Sequence, residues 1–152
     1  MKQLINLSIA GAMAANASAQ IVNGTFNNNL NGWTTAGNVT WHPDGHANIS
    51  NDPNQSSHLS QEFKCGEPGD DGECIVTFRY KTDLPDVPGQ FGLMVSLGPP
   101  GGAGTSKNFA NTGGAWNVGT ITSAPCGMKF LDFENIAPRV LIDDVKAECV
   151  PE

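Results

Sequence analysis

The chain has 152 residues, enough for one domain, and a formal charge of −7. Its 8 Lys and Arg residues form no basic run, which excludes nucleic acid and anionic membrane surfaces as natural partners. Its 18 Gly and 10 Pro residues leave no helical window of apolar residues unbroken, which excludes an α-helical domain.

The N-terminus reads as an export signal. Lys2 is followed by a mostly apolar run from Leu4 to Ala15, and Ala17-Ser18-Ala19 fits the small-x-small cleavage pattern. Residues 1–19 are therefore expected to be a leader, and residues 20–152 a single secreted domain. A membrane anchor or a core strand is the competing reading, but the run is shorter than the about 20 residues a bilayer needs. Without Lys2 the domain carries 7 basic and 15 acidic residues, a charge of −8. That balance suits a hard cation such as calcium, which prefers carboxylate and carbonyl oxygens. Sequons at Asn23, Asn38, Asn48 and Asn54 would carry glycans in a eukaryotic host.

Strand patterns follow in chain order. Weak candidates cover Thr25–Phe26, Val39–Trp41 and Ala47–Ile49. Stronger alternation marks His58–Cys65, Cys74–Lys81, Phe91–Leu97, Trp116–Thr122, Met128–Phe133 and Arg139–Glu148. Short strands between turn-rich loops point to an all-β sandwich or barrel. The Gly- and Pro-rich segment from Gly98 to Asn108 reads as a mobile loop over a sheet edge, and it lacks the pattern of a phosphate-binding loop.

All four cysteines lie in the exported part. An even count favours two disulfides; zinc is the alternative, but there is no C-x-x-C pair. Cys65 ends one predicted strand and Cys74 opens the next, so a bond between them would staple a hairpin mouth. If a turn at Asn135–Pro138 joins the last two strands, Cys126 falls near Cys149. Cys65–Cys74 with Cys126–Cys149 is then the geometric choice among three connectivities.

Sugar binding needs flat aromatic rings and hydrogen-bonding side chains. Trp33 and Trp116 read as core residues. Trp41 and Tyr80 are freer, and they are the candidate ligand contacts. His42 and His46 flank Asp44 in a turn that could bring the two imidazoles together, although an exposed polar turn is the plainer reading. Asp132 and Glu134 share a strand face about 7 Å apart. They are the only tempting carboxylate pair beyond Asp143, without the cleft a glycosidase needs. No Ser-His-Asp or G-x-S-x-G context is present, so the chain reads as a non-enzyme.

Two end segments carry a family pattern: Asn23-Gly24-Thr25-Phe26 running on to Gly32-Trp33, and Val140-Leu141-Ile142-Asp143-Asp144-Val145. With Leu59-Ser60-Gln61 and Trp116-Asn117-Val118 between them, the chain resembles the jelly-roll carbohydrate-binding modules of the galactose-binding-like superfamily that accompany xylanases and β-glucanases. The resemblance spans Asn23 to about Val145. It implies a jelly-roll β-sandwich of two antiparallel sheets, a carbohydrate partner and a structural calcium. Asp143 is the first implied ligand and Asn27 the second; a solvated strand end is the plain alternative for Asp143 and Asp144. The family usually has an acidic residue where this chain has Asn27, which lowers the expected calcium affinity. The expected function is non-catalytic, extracellular binding of a polysaccharide or glycan on a sheet face or loop edge. The rival is a structural or adhesive surface protein that self-associates or binds other proteins, in which a flat apolar edge strand would take the place of an aromatic groove.

Overall fold

The computed structural model describes residues 21–67 and 71–151, so the expected leader lies outside the described residues. Ten strands form two antiparallel layers. In chain order they are β1 (Thr34–Ala36), β2 (Asn38–His42), β3 (His46–Ser50), β4 (His58–Cys65), β5 (Glu73–Thr82), β6 (Phe91–Gly98), β7 (Thr105–Ala110), β8 (Asn117–Ser123), β9 (Gly127–Asn135) and β10 (Arg139–Val150). The first sheet has the order β1-β4-β9-β6-β7 and the second β2-β3-β10-β5-β8. This is a jelly-roll β-sandwich. Among the described residues no helix is long and apolar enough to cross a membrane.

Alternation decides which side chains enter the core. Along β5, Cys74, Val76, Phe78, Tyr80 and Thr82 are buried, while Ile75, Thr77, Arg79 and Lys81 between them point outward. Leu59 and Phe63 of β4, Leu93, Val95 and Leu97 of β6, and Leu131 and Phe133 of β9 face them from the first sheet. Phe78 is the centre of an aromatic knot between the layers. Its ring lies 5.1 Å from that of Phe133 and 5.2 Å from that of Phe109, both edge-on. Gly119, opposite Phe78 on β8, leaves the space this ring occupies: a Cβ there would overlap it.

The two end segments meet. The Val145 amide donates to the Gly24 carbonyl at 2.9 Å, and a Cβ on Gly24 would collide with the Val145 carbonyl. Only glycine allows this close approach. The opening segment, however, is a loop and not the strand expected at Thr25–Phe26; Asn23 and Phe26 both hold positive φ. Its side chains still serve the core. Phe26 is fully buried, and Trp33 packs on it at 5.3 Å while its indole N–H donates to the Asn23 carbonyl.

Both expected disulfides are present, Cys65–Cys74 and Cys126–Cys149. The geometry offered for them needs correction. β4 and β5 belong to opposite sheets, as do β9 and β10. Neither pair is a hairpin, and Glu134 does not face Arg139 across a ladder; β9 pairs with β4 and β6, and β10 with β3 and β5. Each bridge therefore ties one layer to the other. The loop expected over Gly98–Asn108 is partly strand, since Thr105–Ala110 adds an edge to β6.

Candidate functional site

The outer face of the second sheet carries a groove of about 380 Å³. Its side chains are the outward members of four strands. β10 supplies Leu141 and Asp143, whose register partners on β5 are Lys81 and Arg79. β2 and β3 supply the facing pair His42 and His46. Trp116, immediately before β8, closes the groove from the other side.

Trp116 is half-buried and held by charge. The Arg79 guanidinium carbon lies 5.0 Å from its ring centroid and the Lys81 ammonium 6.0 Å, both within cation–π range. His46 meets the indole edge-on at 5.5 Å. Arg79 also donates to Asp144 at 3.2 Å, which fixes the guanidinium beside the ring.

His46 is 7% exposed, and its Nε2 is buried without a hydrogen-bond partner. A buried polar atom left unpaired is costly. The ring stacks on His42 at 4.5 Å with only 11° between planes. Parallel rings do not aim their in-plane lone pairs at one ion, so this pair is not a metal clasp. Burial, followed by the neighbouring His42, holds the His46 imidazole below its ordinary value of 6.5. The sign follows from linkage. As pH falls below about 6.5 the unfolded chain takes up this proton before the folded one does, so stability declines with acidity in that window. A His46→Gln variant should lose less stability than wild type between pH 7.5 and 5.5. Parallel thermal profiles for the two proteins would contradict this.

The expected ligand contacts fare differently. Tyr80 is 4% exposed and its hydroxyl donates to the Ala110 carbonyl at 2.8 Å. It is a core residue on the inner face of β5 and offers nothing to a ligand. Trp41 is half-buried against the core, with its indole N–H donating to the Phe26 carbonyl at 2.7 Å. It points inward beside Ala47, its β3 partner. Trp116, read from sequence as core, instead lines the groove, and Arg79, His46 and Asp143 join it there.

The calcium implied for Asp143 and Asn27 does not fit this arrangement. Asp143 shares the groove with Arg79, Lys81 and Arg139, and its Oδ1 accepts the Asp144 amide. Burial raises its pKa, and the Asp144 amide and the Arg79 guanidinium act against that rise. Asn27 is exposed in the opening loop. Calcium takes six to eight oxygens, and a carboxylate beside Arg79, with Asn27 exposed on a separate loop, is a poor start for that shell.

No family model matches the sequence, and no curated protein matches it. Solved structures do match the fold. The CBM22-1 xylan-binding domain from Paenibacillus barcinonensis Xyn10C superposes with a TM-score of 0.57 at 14% identity, over 85% of this chain and 93% of that one. The fold is that of the jelly-roll carbohydrate-binding modules. A second such module, TmCBM61 in complex with β-1,4-galactotriose, gives a TM-score of 0.53 at 19% identity, covering 84% of this chain and 92% of that one. The enzymatically active domain of bacteriophage CBA120 tailspike protein 4 gives 0.61 at 13% identity over 96% of this chain, which spans only 23% of that larger one. A likeness shared by binding modules and a part of a phage protein is a likeness of architecture.

Proposed function

We propose that the protein is an exported, non-catalytic glycan-binding module that holds its sugar in the Trp116 groove. The observation that carries this reading is the half-buried indole of Trp116, lining the groove together with Arg79, Lys81 and Asp143. An aromatic face covers the apolar side of a pyranose ring, and the charged and polar groups around it take the hydroxyls. Arg79 and Lys81 are donors and Asp143 is an acceptor. A xylan-binding domain and a module in complex with β-1,4-galactotriose, both of this fold, support the ligand class. The two disulfides suit an oxidising compartment outside the cell.

The rival reading, assembly through sheet edges, finds less support. β7 exposes Thr105, Ser106, Lys107 and Asn108, and β1 is the polar Thr34-Thr35-Ala36. Short or polar edges with a lysine discourage strand addition. The test is a glycan array followed by titration calorimetry with the best oligosaccharide. Trp116→Ala should weaken binding at least about tenfold, since an aromatic stacking contact and the order of its neighbours are lost together. Retained affinity in a folded Trp116→Ala protein would place the sugar elsewhere.

A further inference from the structure

We propose that His58, Asp132 and Glu134, on the outer face of the first sheet, form a binding site for a divalent transition metal, with zinc as the best fit. The site lies on the layer opposite the Trp116 groove and does not depend on the glycan reading.

Strand geometry makes the cluster. His58 of β4 stands directly opposite Glu134 of β9, and Asp132, two residues earlier on β9, projects from the same face. One ligand atom from each residue lies within 4.8 Å of the other two. His58 Nδ1 is already 3.0 Å from Asp132 Oδ2, close to the spacing of two donors on one tetrahedral zinc, about 3.3 Å for bonds of about 2.0 Å. The Glu134 carboxylate lies within 4.8 Å of the other two donors, and rotation of its long side chain can close the remaining gap.

Chemistry selects the ion. One imidazole with two carboxylates matches zinc and its neighbours, whereas calcium and magnesium prefer oxygen alone. Two carboxylates offset a charge of +2. The residues facing the cluster from β6 are Met94 and Ser96, and Ser60 is the β4 partner of Asp132; none is a competing cation. With three protein ligands the fourth position is left to water or to a donor from another molecule.

Isothermal titration of the full protein with zinc chloride at pH 7.4 tests the site. Saturable one-to-one binding is expected. His58→Ala and Asp132→Asn should each weaken it at least about tenfold, since changes even one shell further out commonly cost that much. His42→Ala should leave it unchanged. Circular dichroism and melting of each variant establish that it is folded, and Asp132→Asn keeps the side-chain shape should His58→Ala disturb the sheet. The proposal fails if wild type shows no saturable binding. It also fails if folded His58→Ala and Asp132→Asn bind zinc as wild type does, or if His42→Ala alone abolishes binding.

Discussion

Replacing Phe78 with alanine should cost about 3–5 kcal/mol of folding stability, the usual range for deleting a buried phenyl ring. Phe78 is 1% exposed and touches both layers through aromatic rings: Phe133 of β9 and Phe109 of β7 from the opposite sheet, and Tyr80 beside it at 5.9 Å. Truncation removes the apolar burial and three ring–ring contacts together. The hole is poorly placed to collapse. Its floor is Gly119, which has no side chain to move in, and β8 pairs in unbroken register beside it, while β10 bulges opposite Phe78 between Asp143 and Lys146. For a domain of this size the loss corresponds to a melting-temperature drop of roughly 10–20 °C. Thermal and urea melts with the disulfides intact would show it. A cost below about 1 kcal/mol would mean that the two sheets are not held by this knot. Gly119→Val attacks the same contact from the other side, since its Cβ overlaps the Phe78 ring.

Much of this layering is legible in the residues. The period of two in β4, β5, β6 and β9 predicts both the strands and their inner faces, and Gly24 against Val145 realises the meeting of the end segments. The parity of β5 also places Tyr80 with Val76 and Phe78, inside. Its place near the end of the strand does not free Tyr80 from the core. Trp116 is harder to read. Trp116 and Val118 share one parity while Ile121 has the other, so the apolar signal changes face within β8. Val118 is 73% exposed, and what decides the face is Gly119 fitting under Phe78, a contact between strands about forty residues apart. β7 was hidden because an edge strand needs no alternation when its side chains are solvated. The sheet membership of β9 and β10 was hidden for a related reason. A short turn-rich link joins a hairpin or an arch between layers equally well, and only the partners of each strand separate the two.

That arch geometry gives the disulfides more to do than staple a turn, and reducing both should lower stability by about 6 kcal/mol. The loops they close span 9 and 23 residues in sequence and do not overlap. Loop-closure entropy gives about 2.6 kcal/mol for the shorter and about 3.4 for the longer, and the contributions of separate loops add. A small domain has only about 5–15 kcal/mol in total. The bridges also sit where the apolar core is weakest. Cys74 and Cys149 are register partners, Cys65 is opposite Gly127, and near them β9 turns Lys129 inward, 2% exposed and donating to the Ser123 hydroxyl at 3.2 Å. Burial holds the Lys129 ammonium below its usual pKa, so this end pays for a charge that a core of Leu and Phe would not contain. Without the bridges, the layers should part there first. Amide exchange in the reduced protein should rise earliest at residues 63–65, 74–76 and 147–149, and denaturant midpoints of Cys65→Ala/Cys74→Ala and Cys126→Ala/Cys149→Ala should each fall by the amount its loop dictates. A reduced protein that melts within a few degrees of the oxidised one would show that the aromatic knot alone holds the two sheets together.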